Sequence, residues 1–115
     1  VTGDGLRAHC LSLTAAEETF PFGDDVSVFK VAGKMFALSM LDATPLTVSV
    51  KCEPEEALAL RAAYTAVAPG YHLNKRHWNT VTIGGDVPDD EVIAMIDESY
   101  ALIVAALPKS RRPVV

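Results

Sequence analysis

From Leu46 to Lys51 the side chains alternate without interruption: Leu46, Val48 and Val50 are apolar, and Thr47, Ser49 and Lys51 are polar. A period of two puts those sets on opposite faces of a β-strand, one toward a core and one away from it. The same period governs Asn79 to Ile83, where Val81 and Ile83 alternate with Thr80 and Thr82. Two more strand-like runs, Val26 to Ala32 and Met35 to Leu41, flank Gly33-Lys34. That dipeptide predicts a two-residue hairpin turn with glycine first, as a II′ turn prefers.

Elsewhere the period lengthens to that of a helix. Leu6, Cys10 and Leu13 recur at helical spacing, with Asp4 able to cap the start. Pro54 opens a second helix that runs to about Tyr64, with Glu55 and Glu56 in the first turn, where the helix dipole favours anions. Leu58, Leu60 and Ala62 are expected to face the core. The third helix runs from Pro88 to about Leu107 and stops before Pro108; its buried stripe is Val92, Met95, Ile96, Ser99, Leu102, Ile103 and Ala106. A connector from Thr14 to Asp25 carries Phe20-Pro21-Phe22-Gly23, whose aromatics are expected to tether it to the core.

The order αβββαβα with short hairpins predicts a single compact α+β domain. Its sheet is mainly antiparallel and four-stranded, with helices on one face. The domain spans residues 1–115, with a core of about 6–107 and a flexible tail over 108–115. The opposite sheet face then carries Thr47, Ser49, Lys51, Thr80 and Thr82, a polar surface suited to a ligand.

Composition narrows the function. A chain of 115 residues supports one hydrophobic core, and 50% apolar with 22% charged residues excludes disorder. The most apolar run, Ala101 to Leu107, is far short of the 18 or so residues of a membrane span. Val1 to Asp4 show no basic region leading into an apolar stretch, so no signal peptide is expected. Cys10 and Cys52 fit no disulfide or metal spacing, which suits a cytoplasmic protein with reduced thiols. The net charge of −5 opposes polyanion binding unless charges are segregated. They partly are: Asp24 and Asp25, Glu53 to Glu56 and Asp89 to Glu91 form acidic groups, while Lys30, Lys34, Lys51, Lys75 and Arg76 sit in or beside strands and one loop.

That loop is the richest in chemistry. Pro69-Gly70-Tyr71-His72-Leu73-Asn74-Lys75-Arg76-His77-Trp78-Asn79-Thr80 holds two adjacent cations, two of the three histidines and the single tryptophan. No acidic residue occurs between Glu56 and Asp86. Cations beside an aromatic can grip a phosphate backbone while a ring stacks on a base. The structural alternative makes Trp78 a core anchor, pairs Lys75 or Arg76 with a helix carboxylate, and has Asn74 and Asn79 tie down loop backbone. His72 and His77 lack the tight ligand pairing of a zinc site, so no metal and no cofactor are expected. Cys52 lies at a helix start, which favours the thiolate, but Glu53, Glu55 and Glu56 beside it oppose that shift. No G-x-S-x-G surrounds any serine, and no catalytic residue is assigned.

Four segments resemble the MmcQ/YjbR family of small bacterial domains: Phe20-Pro21-Phe22-Gly23, the hairpin Val28-Phe29-Lys30-Val31 with Lys34-Met35-Phe36-Ala37, the strand Val48-Ser49-Val50-Lys51-Cys52, and above all Pro69 to Thr80. Asp97, Ser99 and Tyr100 in the last helix fit as well, so the resemblance covers about Leu6 to Leu107. It implies a compact α+β domain with an antiparallel sheet, and DNA binding of undefined biological role. It supplies no catalytic residues. Lys51, Lys75, Arg76 and Trp78, with Tyr71 and His72, are the expected nucleic-acid contacts of a non-enzymatic module, monomeric or weakly dimeric and not membrane-bound. A protein-interaction domain is the alternative partner class. A small-molecule site or enzyme built on Tyr71, His72 and His77 is a third reading.

Overall fold

The alternating run at Leu46 builds the centre of the sheet. In the computed structural model, which describes residues 1–114, β4 (Thr47–Lys51) lies between β3 (Lys34–Ser39) and β6 (Trp78–Thr82). The sheet has six antiparallel strands rather than four, in the order β1-β2-β3-β4-β6-β5, with β2 at Ser27–Val31. The two unforeseen strands are its edges, β1 (Glu17–Thr19) and β5 (Val67–Pro69). Each has three residues, too few to show a period, and each is extended because a longer neighbour supplies its hydrogen-bond partners.

The register fixes the faces. Val50 pairs with Asn79 and Val48 with Val81 on the helix side, while Thr47–Thr82, Ser49–Thr80 and Lys51–Trp78 pairs occupy the other. The polar face read from the alternation is therefore real, although Ser49 is buried and its hydroxyl is hydrogen-bonded to that of Thr80 at 2.8 Å. Between β2 and β3 the register shifts after Phe29, so Phe36 has no cross-strand partner and joins the core. Ser99 repairs the ladder beside this bulge. Its hydroxyl donates to the Phe36 carbonyl at 2.6 Å and accepts from the Lys51 amide at 2.8 Å.

The helices α1 (Gly3–Ser12), α2 (Pro54–Ala63) and α3 (Asp89–Ala106) cover the apolar face. Helix α3 lies across β2, β3 and β4, while α2 lies on β5 and β6. Helix α1 is tied down by Arg7 to Glu18 at 3.2 Å and by His9 to Asp97 at 2.6 Å. Leu6, Cys10, Val92, Met95, Ile96, Ser99 and Ile103 are buried as their spacing predicts, whereas Leu13 and Leu102 are half-buried and Ala106, at the last turn of α3, is exposed.

Several local expectations are corrected. Thr2, not Asp4, caps α1 by accepting from the Gly5 amide. In α2 the inward stripe is Ala57, Leu60, Arg61 and Tyr64 instead of Leu58, Leu60 and Ala62; Leu58 is 63% exposed. The β2–β3 turn uses Ala32 and Gly33, both with positive φ, so it is of the I′ kind that suits the twist of a hairpin. Phe20 and Phe22 do not tether their loop; they are exposed. The segment Lys109–Arg111 forms a 3₁₀ turn where a frayed tail is expected. Arg111 donates to Ala32, and Arg112 donates to Leu107 and Ala105, because those carbonyls have no other partner at a hairpin turn and a helix end. Val115, the last position of that expected tail, lies outside the described residues.

Candidate functional site

Antiparallel pairing gathers the cations. The C-terminal ends of β2, β4 and β5 share one end of the sheet with the N-terminal ends of β1, β3 and β6. Lys30 and Lys51 close β2 and β4, Lys34 opens β3, and residues 70–77 join β5 to β6 and carry Lys75 and Arg76. Lys30 and Lys51 point away from the helices and are two strands apart, on the order of 10 Å at ordinary strand spacing. Glu17, across from Lys30, is the one carboxylate carried by the strands at this end. The loops at the other end hold Asp24, Asp25, Asp42 and Asp86. Strands and their connecting loops thus gather the cations at one end, with Glu53, Glu55 and Glu56 at the start of α2 adjoining it just after Lys51.

The loop at the cationic end is held from below. Arg61 of α2 donates through Nε to Asn79 Oδ1 at 2.7 Å, and through its terminal nitrogen to the carbonyls of Trp78 at 3.2 Å and of Lys75. Asn79 is buried, and its amide donates to the Ala57 carbonyl at 3.3 Å and approaches Cys52 Sγ at 3.8 Å. The Cys52 amide donates to the His77 carbonyl at 2.8 Å, extending the β4–β6 ladder past its last full pair. Gly70 is required by close approach: a Cβ there would lie 2.7 Å from Trp78 Cβ. The Asn74 side chain accepts from the Arg76 amide at 3.0 Å.

Each residue singled out in the sequence now has a place. Lys75 folds back to donate to the Gly70 carbonyl at 3.0 Å, so it closes its own loop and does not pair with a helix carboxylate. The pairing runs the other way, from a helix cation to loop carbonyls. Trp78 is half-buried on the outer face beside Lys51, part anchor and part surface. Tyr71 is 72% exposed and packs against the ring of His72, with centroids 4.0 Å apart and planes tilted by 52°. His72 holds a φ of 57°, a left-handed conformation that costs an L-residue about 1–2 kcal/mol and fixes the ring pair outward. Arg76 and Lys51, like Lys30 and Lys34, have side chains with no hydrogen bond or ion pair among the described residues. Arg61, which organises the loop, is missed by sequence reasoning; its signal is the helical spacing from Ala57 and Leu60 on the inward face of α2.

The thiols are quiet. Burial pushes Cys52 up to about 11, with Glu56 adding to the rise and Arg61 opposing it. Burial, then Asp97 and Glu18, pushes Cys10 up to about 12. Both are protonated near neutrality, so neither supplies a ready nucleophile. Among the described residues no three His, Cys, Asp or Glu side chains are arranged to hold a metal ion, and no helix is long and apolar enough to cross a membrane.

The family model YjbR matches residues 11–102, from the end of α1 through the sheet and the loop into α3. The chain belongs to the YjbR family. The uncharacterized YjbR protein of Escherichia coli K12 is 34% identical over 107 residues, covering 93% of this chain and 91% of its own. The uncharacterized YbdF protein of Escherichia coli O157:H7 is 36% identical over 100 residues, covering 86% of this chain and 81% of its own. The crystal structure of Deinococcus radiodurans protein DR2400 superposes with a TM-score of 0.90 at 41% identity, covering 96% of this chain and 84% of that one. This YjbR-family chain therefore shares both sequence and the α+β architecture with solved relatives.

Proposed function

We propose that the chain is a non-enzymatic binding module whose ligand is nucleic acid, held at the cationic end of the sheet. The observation that carries this reading is the convergence of Lys30, Lys34, Lys51, Lys75 and Arg76 at one end, with no carboxylate within salt-bridge distance of any of them among the described residues. Cations left without internal partners lose less on meeting phosphate than cations already paired. Tyr71, with His72 packed at a tilt against it, is the exposed ring best placed to stack on an unpaired base. Lys75 and Trp78 shape the loop, so the direct contacts fall to Arg76, Lys51, Lys30 and Lys34. Reduced, buried cysteines suit a cytoplasmic setting.

Fluorescence anisotropy with labelled single- and double-stranded DNA, titrated from low to physiological salt, tests the reading. Four phosphate contacts give a log-affinity against log-salt slope of about −3 to −4 on duplex DNA. Lys51→Ala with Arg76→Ala should make the slope shallower by about two and weaken binding at every sequence. Binding absent at low salt, or unchanged in the double variant, overturns it. The competing reading, a protein-assembly surface, draws on Phe20, Phe22 and Met40, exposed by 47%, 68% and 47% at the opposite end of the sheet. A mass that rises with concentration and falls back on Phe22→Ser would favour it.

A further inference from the structure

The helix layer is incomplete. Helix α3 sits on β2 to β4 and α2 on β5 and β6, and a cavity of about 560 Å³ opens between the two helices. Its floor is apolar, formed by Leu60, Ala94 and Met95, with the Cys52 thiol at the base. Its rim holds Glu53, Glu55 and Glu56 from the start of α2 and Glu91 and Glu98 from α3. None of the five carboxylates accepts a hydrogen bond or meets a cation within 4 Å among the described residues. Five like charges around one cleft repel one another; the starts of α2 and α3 favour Glu53, Glu55, Glu56 and Glu91, but no side-chain cation pairs with any of the five among the described residues.

We infer that this groove docks a basic amphipathic segment of a partner protein, one whose apolar side chains fill the floor while its lysines or arginines meet the glutamates. The carboxylates do not converge into a metal-binding group among the described residues, so a point cation does not satisfy them. Glu53, Glu55 and Glu56 lie at the first turn of α2, and Glu91 and Glu98 are seven residues apart on α3, about 10 Å along its axis. Charges drawn from two helices around one cleft match several cations held at helical spacing. The apolar floor selects a ligand that also has something to bury, and a helix laid between helices completes the layer. The chain's own tail does not serve, since Arg111 and Arg112 are already bonded to backbone carbonyls elsewhere. This groove adjoins the cationic end, since Glu53 follows Lys51 by two residues, but the two readings rest on different side chains, so their variants are distinguishable.

The test is an amide-shift titration of the labelled protein with a 14-residue leucine–lysine peptide patterned for one apolar helical face. A leucine–glutamate peptide of the same pattern and spermine are the comparators. Saturable shifts confined to residues 53–60 and 91–98, absent with the glutamate peptide, are expected. Glu53→Gln, Glu56→Gln and Glu98→Gln together should weaken that affinity by about tenfold or more at low salt. Those carboxylates make no hydrogen bonds, so the variant should keep a native spectrum, and that spectrum is the folding control. Scattered shifts, or affinity unchanged in the triple variant, overturn the inference. Spermine reproducing the shifts at equal affinity assigns the groove to small cations and also overturns it. So does a dimer of the protein alone that gives the same shifts, because the occupant is then a second copy.

Discussion

The cationic loop and the acidic groove are built in opposite ways. The loop from Gly70 to Asn79 is over-determined: Arg61, Asn74, Lys75 and Asn79 each spend their polar atoms holding backbone, and Gly70 is fixed by contact with Trp78. The groove between α2 and α3 is the reverse, five carboxylates with no internal partner over an apolar floor. A conspicuous motif thus mostly records how a difficult loop is folded. The capacity to bind is better read from charges the fold leaves alone, and by that measure Arg76 and Lys51 outrank Lys75 and Trp78.

If the loop is architecture, its inner residues should cost stability and its outer ones should not. The largest loss is expected for Asn79→Ala, which removes the acceptor of Arg61 Nε and the buried donor to the Ala57 carbonyl and should cost about 2–4 kcal/mol. Urea unfolding measures it, and a loss within error of zero would mean the Arg61–Asn79 link does not organise the loop. Next is Gly70→Ala. The added methyl must displace Trp78 and should cost about 1–3 kcal/mol, with a change in Trp78 fluorescence that a merely local strain would not produce.

The thiols give a smaller, pH-dependent effect. Cys52 is raised to about 11 and Cys10 to about 12 from an ordinary value of 9.0, so the folded state holds these protons more tightly than the unfolded state. Their contribution is fully present below pH 9.0 and is lost as pH climbs through 11 to 12. Tm is therefore expected to be flat with respect to the thiols up to pH 9 and to fall above it, and Cys52→Ser should make that fall shallower. An identical slope in the variant would show that Cys52 does not share in it. At the acid end Asp86 acts with the opposite sign. Amides of Ala66 and Thr65 hold its carboxyl below 3.8, so its contribution is present above that value and is lost as pH drops below it.

Much of this was legible from residue order. The alternation at Leu46–Lys51 fixed which side chains leave the core, and the Val92–Ile103 stripe fixed the inward face of α3. Edges β1 and β5 were not legible, because three residues carry no period and their pairing is imposed by β2 and β6. Leu58 misled because hydrophobicity was weighed above helical phase; Ala57 and Arg61, four apart, mark the true inward face. Asn79 carried a usable clue. It shares parity with Val81, so a polar side chain stood on the core face and required a buried partner, which Arg61 supplies. The groove could not be foreseen, since it depends on where two helices land on one sheet.

The smallest stability effect is the sharpest separation of the two kinds of residue. Tyr71 and Arg76 are exposed, their side chains make no hydrogen bonds, and neither carries buried apolar area comparable to that of Phe36 or Val81. Tyr71→Ala with Arg76→Ala should shift unfolding free energy by less than about 0.5 kcal/mol per site. The same pair removes the exposed ring and one unpaired cation of the proposed interface. A variant as stable as the parent that loses affinity for single-stranded DNA by more than for duplex would assign stacking to Tyr71, because only an unpaired base exposes its face. Equal losses on both would leave Arg76 acting through phosphate alone. A loss of stability instead of affinity would move these two residues to the architectural side of the comparison, and the cationic end would keep only its lysines.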